Sequence, residues 1–462
     1  VVELKVAFSF RSRKKANENR SSSPHDFSVA RRIAKKDWEE RLDRIRVQGG
    51  TLAQQRTFYT AFYHSPIKPS EAHNESPFWP WDGPFFFDFS TLWDMYKTQL
   101  PLVLSLFPDE GAAIVNAMLT VVEMEGNFPI GYRLARGYDR FSHQASALGH
   151  VVIADAFHRR LPGIDWERAL TLMSKDLGRE YGEAFFQDGV VHPLTHTLDL
   201  AYGCFCTAAI ATEIGDTTVA AQMLEYASQW QNAFDKTGLL RDSTYYEGSK
   251  YNYSFRLLHD MASRISLAGG DTAFVDLLDT FFGYAADSVP APGVSPCRTE
   301  MAEGELLGRF EGFNNEPDME TPYAYIYAGR HDRACEVIRA GLTQCYGDSR
   351  GGLVGNDDSG GMSSWYVWSA LGLFPVAGQD VFLIGSPLFN RAEVQFGPDQ
   401  AFAIETDGGG TESSYIQSVL LDGKPFKKPY LCWRDLCSGG TLSVKMTSTP
   451  TVWTQERPPS VM

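Results

Sequence analysis

The stretch richest in reactive side chains is Gly352-Leu353-Val354-Gly355-Asn356-Asp357-Asp358-Ser359-Gly360-Gly361-Met362-Ser363-Ser364-Trp365. A glycine-rich turn presents two adjacent acids and an amide. Val367, Ala370, Leu371 and Phe374 then recur at helical spacing, which predicts a buried helix over 361–373. Ser359 and Ser363 offer hydroxyls that could cap its start. Carboxylates held at the mouth of an anchored helix suit a catalytic base or a hard-cation ligand. They suit equally a capped helix start with solvated acids, and the stretch alone leaves both readings open.

Three further clusters have the same double character. In Tyr245-Tyr246-Glu247-Gly248, the carboxyl stands among aromatics. Burial there would raise its pKa and fit a general acid, while the plainer reading is a loop acid beside packed tyrosines. Phe313-Asn314-Asn315-Glu316-Pro317-Asp318-Met319-Glu320 offers amide and carboxylate oxygens, the hard donors that Ca²⁺ takes in preference to Zn²⁺. Its spacing is not that of an EF-hand loop, and its acids could equally complement a helix N-terminus. Trp93-Asp94-Met95-Tyr96 pairs a ring that can stack on a sugar with an acid that can bind hydroxyls; a capped, buried helix is the commoner explanation.

Other templates fail. His192-Pro193-Leu194-Thr195-His196 has zinc-like spacing but lacks the glutamate of a metalloprotease helix, and reads as a loop. No Walker loop, dinucleotide glycine fingerprint or G-x-S-x-G elbow is present.

The elements that must position these clusters are mainly helical. The chain has 462 residues, 43% of them apolar and 13% aromatic, enough for one large domain with appendages. Residues 1–10 alternate like an edge strand, 11–24 reads as a linker, and 25–50 contains a linker helix with a stripe of Ala30, Ala34, Trp38, Leu42 and Ile45. Helical patterns follow near 51–64, 91–106, 110–124, 142–159, 164–176, 197–213, 216–234, 253–267, 270–284, 320–329, 331–343 and 361–373. Without a parallel-sheet pattern, that set fits an (α/α)6 toroid over 51–376 better than a bundle. From 377 to 462 the texture changes to strands near 381–384, 392–396, 415–421 and 441–446, with a turn at Asp422-Gly423, as in a small C-terminal β module.

The net charge of −15 argues against nucleic acid and against an anionic membrane surface. No apolar run approaches the roughly 20 residues that span a bilayer. The chain opens on Val1, which reads as a processed or truncated product whose targeting signal is gone. Seven scattered cysteines form no disulfide framework, and Cys204 and Cys206 read as core thiols. Asn19, Asn74 and Asn252 each open a glycan-acceptor triplet.

Taken in chain order, the clusters resemble glycoside hydrolase family 92, the calcium-dependent exo-α-mannosidases. The resemblance is carried by Phe58-Tyr59-Thr60-Ala61-Phe62-Tyr63-His64, Leu92-Trp93-Asp94-Met95-Tyr96, Tyr246-Glu247 ahead of Tyr253-Ser254-Phe255, and Asn315-Glu316-Pro317 with Pro322-Tyr323. It continues through Gly355-Asn356-Asp357-Asp358 with Met362-Ser363, Ile384-Gly385-Ser386-Pro387 and Tyr415-Ile416-Gln417-Ser418, and covers about Val1 to Val452. Several short matches in correct order are far more specific than any one.

The resemblance implies an N-terminal β-sandwich, of which residues 1–24 would hold only the last strand and a linker, and a helical barrel closed by C-terminal strands. It implies an inverting, exo-acting hydrolase of terminal α-linked mannose in N-glycans or mannans, at a secreted, periplasmic or cell-surface location. Glu247 would be the acid and Asp358 the base, with Asn356, where family members carry Asp, or Asp357 helping to place the water. Trp93, Asp94 and Asp357 would bind the sugar, and Asn315, Glu316 and Asp358 would hold Ca²⁺. The missing sandwich is an implied partner. Two other readings stand beside this one: a noncatalytic carbohydrate-binding toroid, and a relative cleaving mannose-phosphate-mannose.

Overall fold

The computed structural model describes residues 4–86, 88–89, 92–128, 145–179, 181–241, 250–284, 315–355, 357–397, 401–408 and 413–461. Between Leu52 and Leu371 the described elements are helices: Leu52–His64, Leu92–Met95, Gln99–Leu106, Pro108–Glu125, Leu148–His158, Trp166–Leu177, Tyr181–Asp188 and Leu194–Ile214. Thr217–Ala227, Lys250–Ser254, Met261–Leu267, Asp271–Phe281, Thr321–Tyr327, His331–Ala340 and Gly361–Leu371 follow. Local chemistry explains many of their starts. Thr51 and Gln54 form a reciprocal capping box, and Asp165, Asp216 and Asp260 each accept a backbone N–H in the first turn. The Asp260 cap also splits the single helix expected over 253–267 into two.

Two helices form the interior. In Leu194–Ile214 nearly every residue as far as Ala211 is buried, and in Gly361–Leu371 every residue is. A helix apolar on all sides must be surrounded by others. Cys204 and Cys206 lie in the first of these, buried and unbridged, as expected of core thiols.

Among the described residues nine short strands form two sheets, all but the first of them in the C-terminal part. β1 (Ile45–Gln48), β4 (Arg391–Val394), β5 (Phe402–Asp407), β6 (Tyr415–Leu421), β7 (Lys424–Phe426) and β9 (Gly440–Thr447) form a sheet of order β1-β4-β5-β9-β6-β7, in which only β5 and β9 run parallel. β2 (Leu373–Pro375), β3 (Phe382–Ile384) and β8 (Tyr430–Leu431) form the other. Asp422 and Gly423, both at positive φ, make the two-residue turn from β6 to β7. The molecule is thus mainly helical with a smaller sheet region toward the C-terminus.

Three N-terminal expectations change. Residues 4–10 form no strand: Leu4, Val6 and Phe8 are exposed, and no strand pairs with them among the described residues. The segment read as a linker folds as the helix Arg13–Ser22, because Ser12 caps it and accepts from Lys15 N. The linker helix, Phe27–Leu42 with Asp26 as cap, ends before Ile45. Ile45 then opens β1 and pairs with Val394, so the sheet begins with residues far upstream of 377.

Candidate active site

The turn before Gly361–Leu371 is held in an unusual backbone conformation. Asp357 (φ 43°, ψ 35°) and Ser359 (φ 53°, ψ 20°) are both left-handed, and Gly360 follows at φ 77°. Each non-glycine residue in that region costs on the order of 1–3 kcal/mol and persists only where surrounding contacts fix it. Here they do. Ser363 N and Ser363 Oγ each donate to Asp357, to Oδ1 and Oδ2, at 2.7 Å. His64 Nδ1 donates to Oδ2 at 3.3 Å. The capping oxygen therefore comes from Asp357 rather than from Ser359 or Ser363, whose hydroxyl is a donor to it. Asp357, expected to bind sugar, is engaged within the turn, while Asp358 projects exposed beside it.

The turn presses against its neighbours so closely that side chains are excluded. A Cβ on Gly360 would lie 2.8 Å from the His64 carbonyl oxygen, and one on Gly361 would lie 2.3 Å from that of Asp94. Thr98 Oγ1 donates to Gly361 O at 2.8 Å. The 357–361 turn and the 92–98 segment are therefore one packed unit.

The same segment reaches the third cluster. Lys97 Nζ donates to the Glu316 carbonyl at 3.1 Å and pairs with Glu320 at 2.9 Å, both groups buried. Its ammonium also lies 5.2 Å from the Trp93 ring centroid. Trp365 Nε1, from the helix after the turn, donates to Met319 O at 2.7 Å. Asn315 caps the short turn Glu316–Asp318 by accepting from Glu316 N. Glu316 and Asp318 are buried, and so are Trp93 and Asp94.

The helix Lys250–Ser254, which follows the Glu247 stretch in sequence, also reaches this unit. Asn252 Nδ2 donates to Asp318 Oδ1 at 3.1 Å, and the Tyr253 ring stands 5.9 Å from that of Trp93. Glu247 and Asn356 lie outside the described residues. Stretches as far apart in sequence as the 263 residues between Thr98 and Gly361, bearing Trp93, Asp94, Asn315, Glu316, Asp357 and Asp358, thus adjoin through direct contacts.

The donor set is all oxygen, amide and carboxylate, which suits a hard cation such as Ca²⁺ and not a soft one. Among the described residues no three His, Cys, Asp or Glu side chains are grouped to hold a metal ion. The set expected for calcium contains two acids and an amide, so its support is the chemistry of its donors.

The sequence matches the glycosyl hydrolase family 92 catalytic domain over residues 13–448. The chain belongs to glycosyl hydrolase family 92. A curated relative from Arthroderma benhamiae, described as an uncharacterized secreted glycosidase, is 24% identical over 527 residues, an alignment covering 98% of this chain and 61% of the relative. The structure of a family GH92 α-mannosidase from Bacteroides thetaiotaomicron, in complex with mannoimidazole, superimposes with a TM-score of 0.86 at 24% identity, covering 98% of this chain and 65% of that one. A family GH92 inverting mannosidase from the same species gives a TM-score of 0.84 at 25% identity, with 98% and 67% covered. The chain therefore spans less than two thirds of the length of the first two of these proteins.

Several buried polar residues in and around this family 92 site carry no motif that would have marked them. Lys97 is one, although a lone cation just before an apolar run to Leu106 signals a buried partner. Arg256 is another: buried, it donates to Asp199, whose other oxygen accepts from Ser146 N at 3.1 Å, and its guanidinium lies 5.8 Å from the Tyr96 ring. Burial pushes the Tyr96 hydroxyl well above the usual tyrosine range despite that cation. His196, read as a loop residue, sits in the first turn of Leu194–Ile214, with Nδ1 2.7 Å from Ser146 Oγ and its ring stacked on Tyr181 at 4.1 Å. No described helix is long and apolar enough to cross a membrane.

Proposed function

We propose that the chain is the catalytic part of an inverting, exo-acting α-mannosidase that removes terminal α-linked mannose from glycans such as N-glycans or mannans, with calcium assisting. One observation carries this reading within a family 92 chain: separate acid-bearing stretches meet beside Trp93 and Asp94. The helices are proposed to close into an (α/α)6 toroid with the site at its mouth. A secreted, periplasmic or cell-surface location is proposed too, supported by the relative described as a secreted glycosidase.

Asp358 is the proposed base. It is exposed at the tip of a rigid turn, where a water molecule can approach its carboxylate. Asn356 and Asp357 are proposed to help place that water, Asp357 through the turn it braces. Glu247 is the proposed acid that protonates the leaving oxygen. Support comes from the helix Lys250–Ser254, three residues further on, which reaches Trp93 and Asp318. An inverting pair should stand roughly 6.5–9.5 Å apart, leaving room for water between acid and base. Trp93 and Asp94 are proposed to bind the sugar. Asn315, Glu316 and Asp358 would hold calcium, which when bound supplies positive charge to the sugar hydroxyls.

The test is mannose release from a panel of α-linked mannobioses, with the product anomer read by NMR, using the chain as given and Glu247→Gln. Wild type should release β-mannose first, and Glu247→Gln should keep its fold and lose turnover. Near-normal turnover in that variant rules out the acid assignment. Binding of mannosides with no hydrolysis by wild type favours the noncatalytic toroid. Cleavage of mannose-phosphate-mannose without cleavage of mannobioses favours the phosphodiester reading. The panel also reads linkage preference and whether the chain acts without an N-terminal β-sandwich.

A further inference from the structure

We propose that His64 is a positioning residue of this site, acting through Asp357 to fix the turn that displays Asp358; the inference rests on the reading of Asp358 as the base. The contact spans 293 residues of sequence, so it is tertiary and not a by-product of local folding. His64 ends the helix Leu52–His64 and touches the turn twice. Its ring donates from Nδ1 to Asp357 Oδ2, and its carbonyl oxygen fills the space where Gly360 would carry a side chain.

The end of that helix is anchored in turn. Gln99 Nε2 donates to Ser65 O at 2.7 Å, and Ser364 Oγ donates to Ser65 Oγ at 2.9 Å. The Tyr63 ring meets the His64 ring edge-on at 5.8 Å and packs against Trp38 at 4.3 Å. The imidazole is thus presented by a rigid element to a carboxylate that already takes two bonds from Ser363. Those three bonds hold Asp357 in the left-handed region, and the Cα–C direction of Asp357 sets where Asp358 points. Two of them come from the helix that the turn precedes. Only the His64 bond ties the carboxylate to a different helix, so among the three it alone fixes the turn relative to the rest of the site.

The test compares wild type, His64→Ala and His64→Gln, whose amide can still donate. One readout is amide hydrogen exchange of the segment 355–366, with the interior helix Leu194–Ile214 as reference for overall folding. The second is the split of kcat and KM on an α-mannobiose. His64→Ala should exchange roughly three- to tenfold faster in that segment, as for the loss of one hydrogen bond, with the reference unchanged. It should also lower kcat about tenfold with KM little moved, and His64→Gln should recover most of both. Unchanged exchange in His64→Ala overturns the proposal, as does a His64→Gln defect equal to that of His64→Ala, which would make ring volume and not the bond responsible. If wild type turns over no mannoside, the base reading fails on its own account, and the exchange comparison still decides whether His64 holds the turn.

Discussion

Replacing Lys97 with Met removes an ammonium that joins two parts of the site, the 92–98 segment and the Glu316–Glu320 stretch, while keeping a side chain of similar length. Lys97 is 4% exposed and Glu320 is 7% exposed, so neither charge has much access to water. Removing one partner of a buried pair costs about 3–5 kcal/mol, because the other charge is left uncompensated. That figure already includes the bond to the Glu316 carbonyl and the attraction to the Trp93 and Tyr96 rings, which lie 5.2 and 5.7 Å from the ammonium. The pair itself should be worth much less than its breakage, since neutral groups of the same shape often replace a buried ion pair at little cost. Lys97→Met with Glu320→Gln should therefore be more stable than Lys97→Met alone, with a coupling of about 2–3 kcal/mol. Urea unfolding followed by the fluorescence of the ten tryptophans gives all four corners of the cycle. A single-variant loss under about 1 kcal/mol, or a double variant that loses the sum of the two singles, refutes the reasoning.

Rigorous chelation with EDTA should abolish mannoside turnover and added Ca²⁺ should restore it; unchanged activity removes calcium from the mechanism. Burial holds the imidazoles of His331 and His259 down at about 4, against the usual 6.5, so between those values each gains a proton only on unfolding. Stability should fall as pH drops through that window, by at most about 2.7 kcal/mol per pH unit for the two together; a urea midpoint that stays flat from pH 7 to pH 5 contradicts their burial. Asn252 heads a glycan-acceptor triplet but is 2% exposed and bonded to Asp318, so peptide mass spectrometry after expression in a glycosylating host should find it unmodified.

Much of the fold was legible because it rests on periodicity and caps, which act over a few residues. The helices at 52–64, 166–177 and 361–371 and the hairpin at Asp422-Gly423 each have a local cause in the sequence. The misread pieces depend on distant partners. β1 is four residues whose first, Ile45, continues a helical stripe, and only Val394 across the sheet makes it a strand. Conversely Leu4, Val6 and Phe8 alternate like a strand, yet among the described residues no strand pairs with them, and alternation by itself makes none. The site divides in the same way. Which residues carry oxygen donors could be read directly, but which acid is displayed and which is used up in holding the turn could not.

Asp357 and Asp358 show why. As adjacent aspartates in a glycine-rich turn they are chemically alike, and the residues by themselves offer both for catalysis; the family resemblance alone singled out Asp358 as the base. Their difference comes from backbone geometry. In the left-handed conformation of residue 357, its carboxylate turns back onto Ser363 and toward His64, and residue 358 is left facing solvent. Three donors converge on the Asp357 carboxylate, so its oxygens are committed to holding the turn. Removing Asp357 would therefore act first on the placement of Asp358. Asp357→Asn should keep one acceptor oxygen for Ser363 and lose the second, placing its turnover between wild type and Asp357→Ala. If Asp357→Asn and Asp358→Asn reduce kcat equally while amide exchange in 355–366 stays as in wild type, the division of labour between the two acids is wrong.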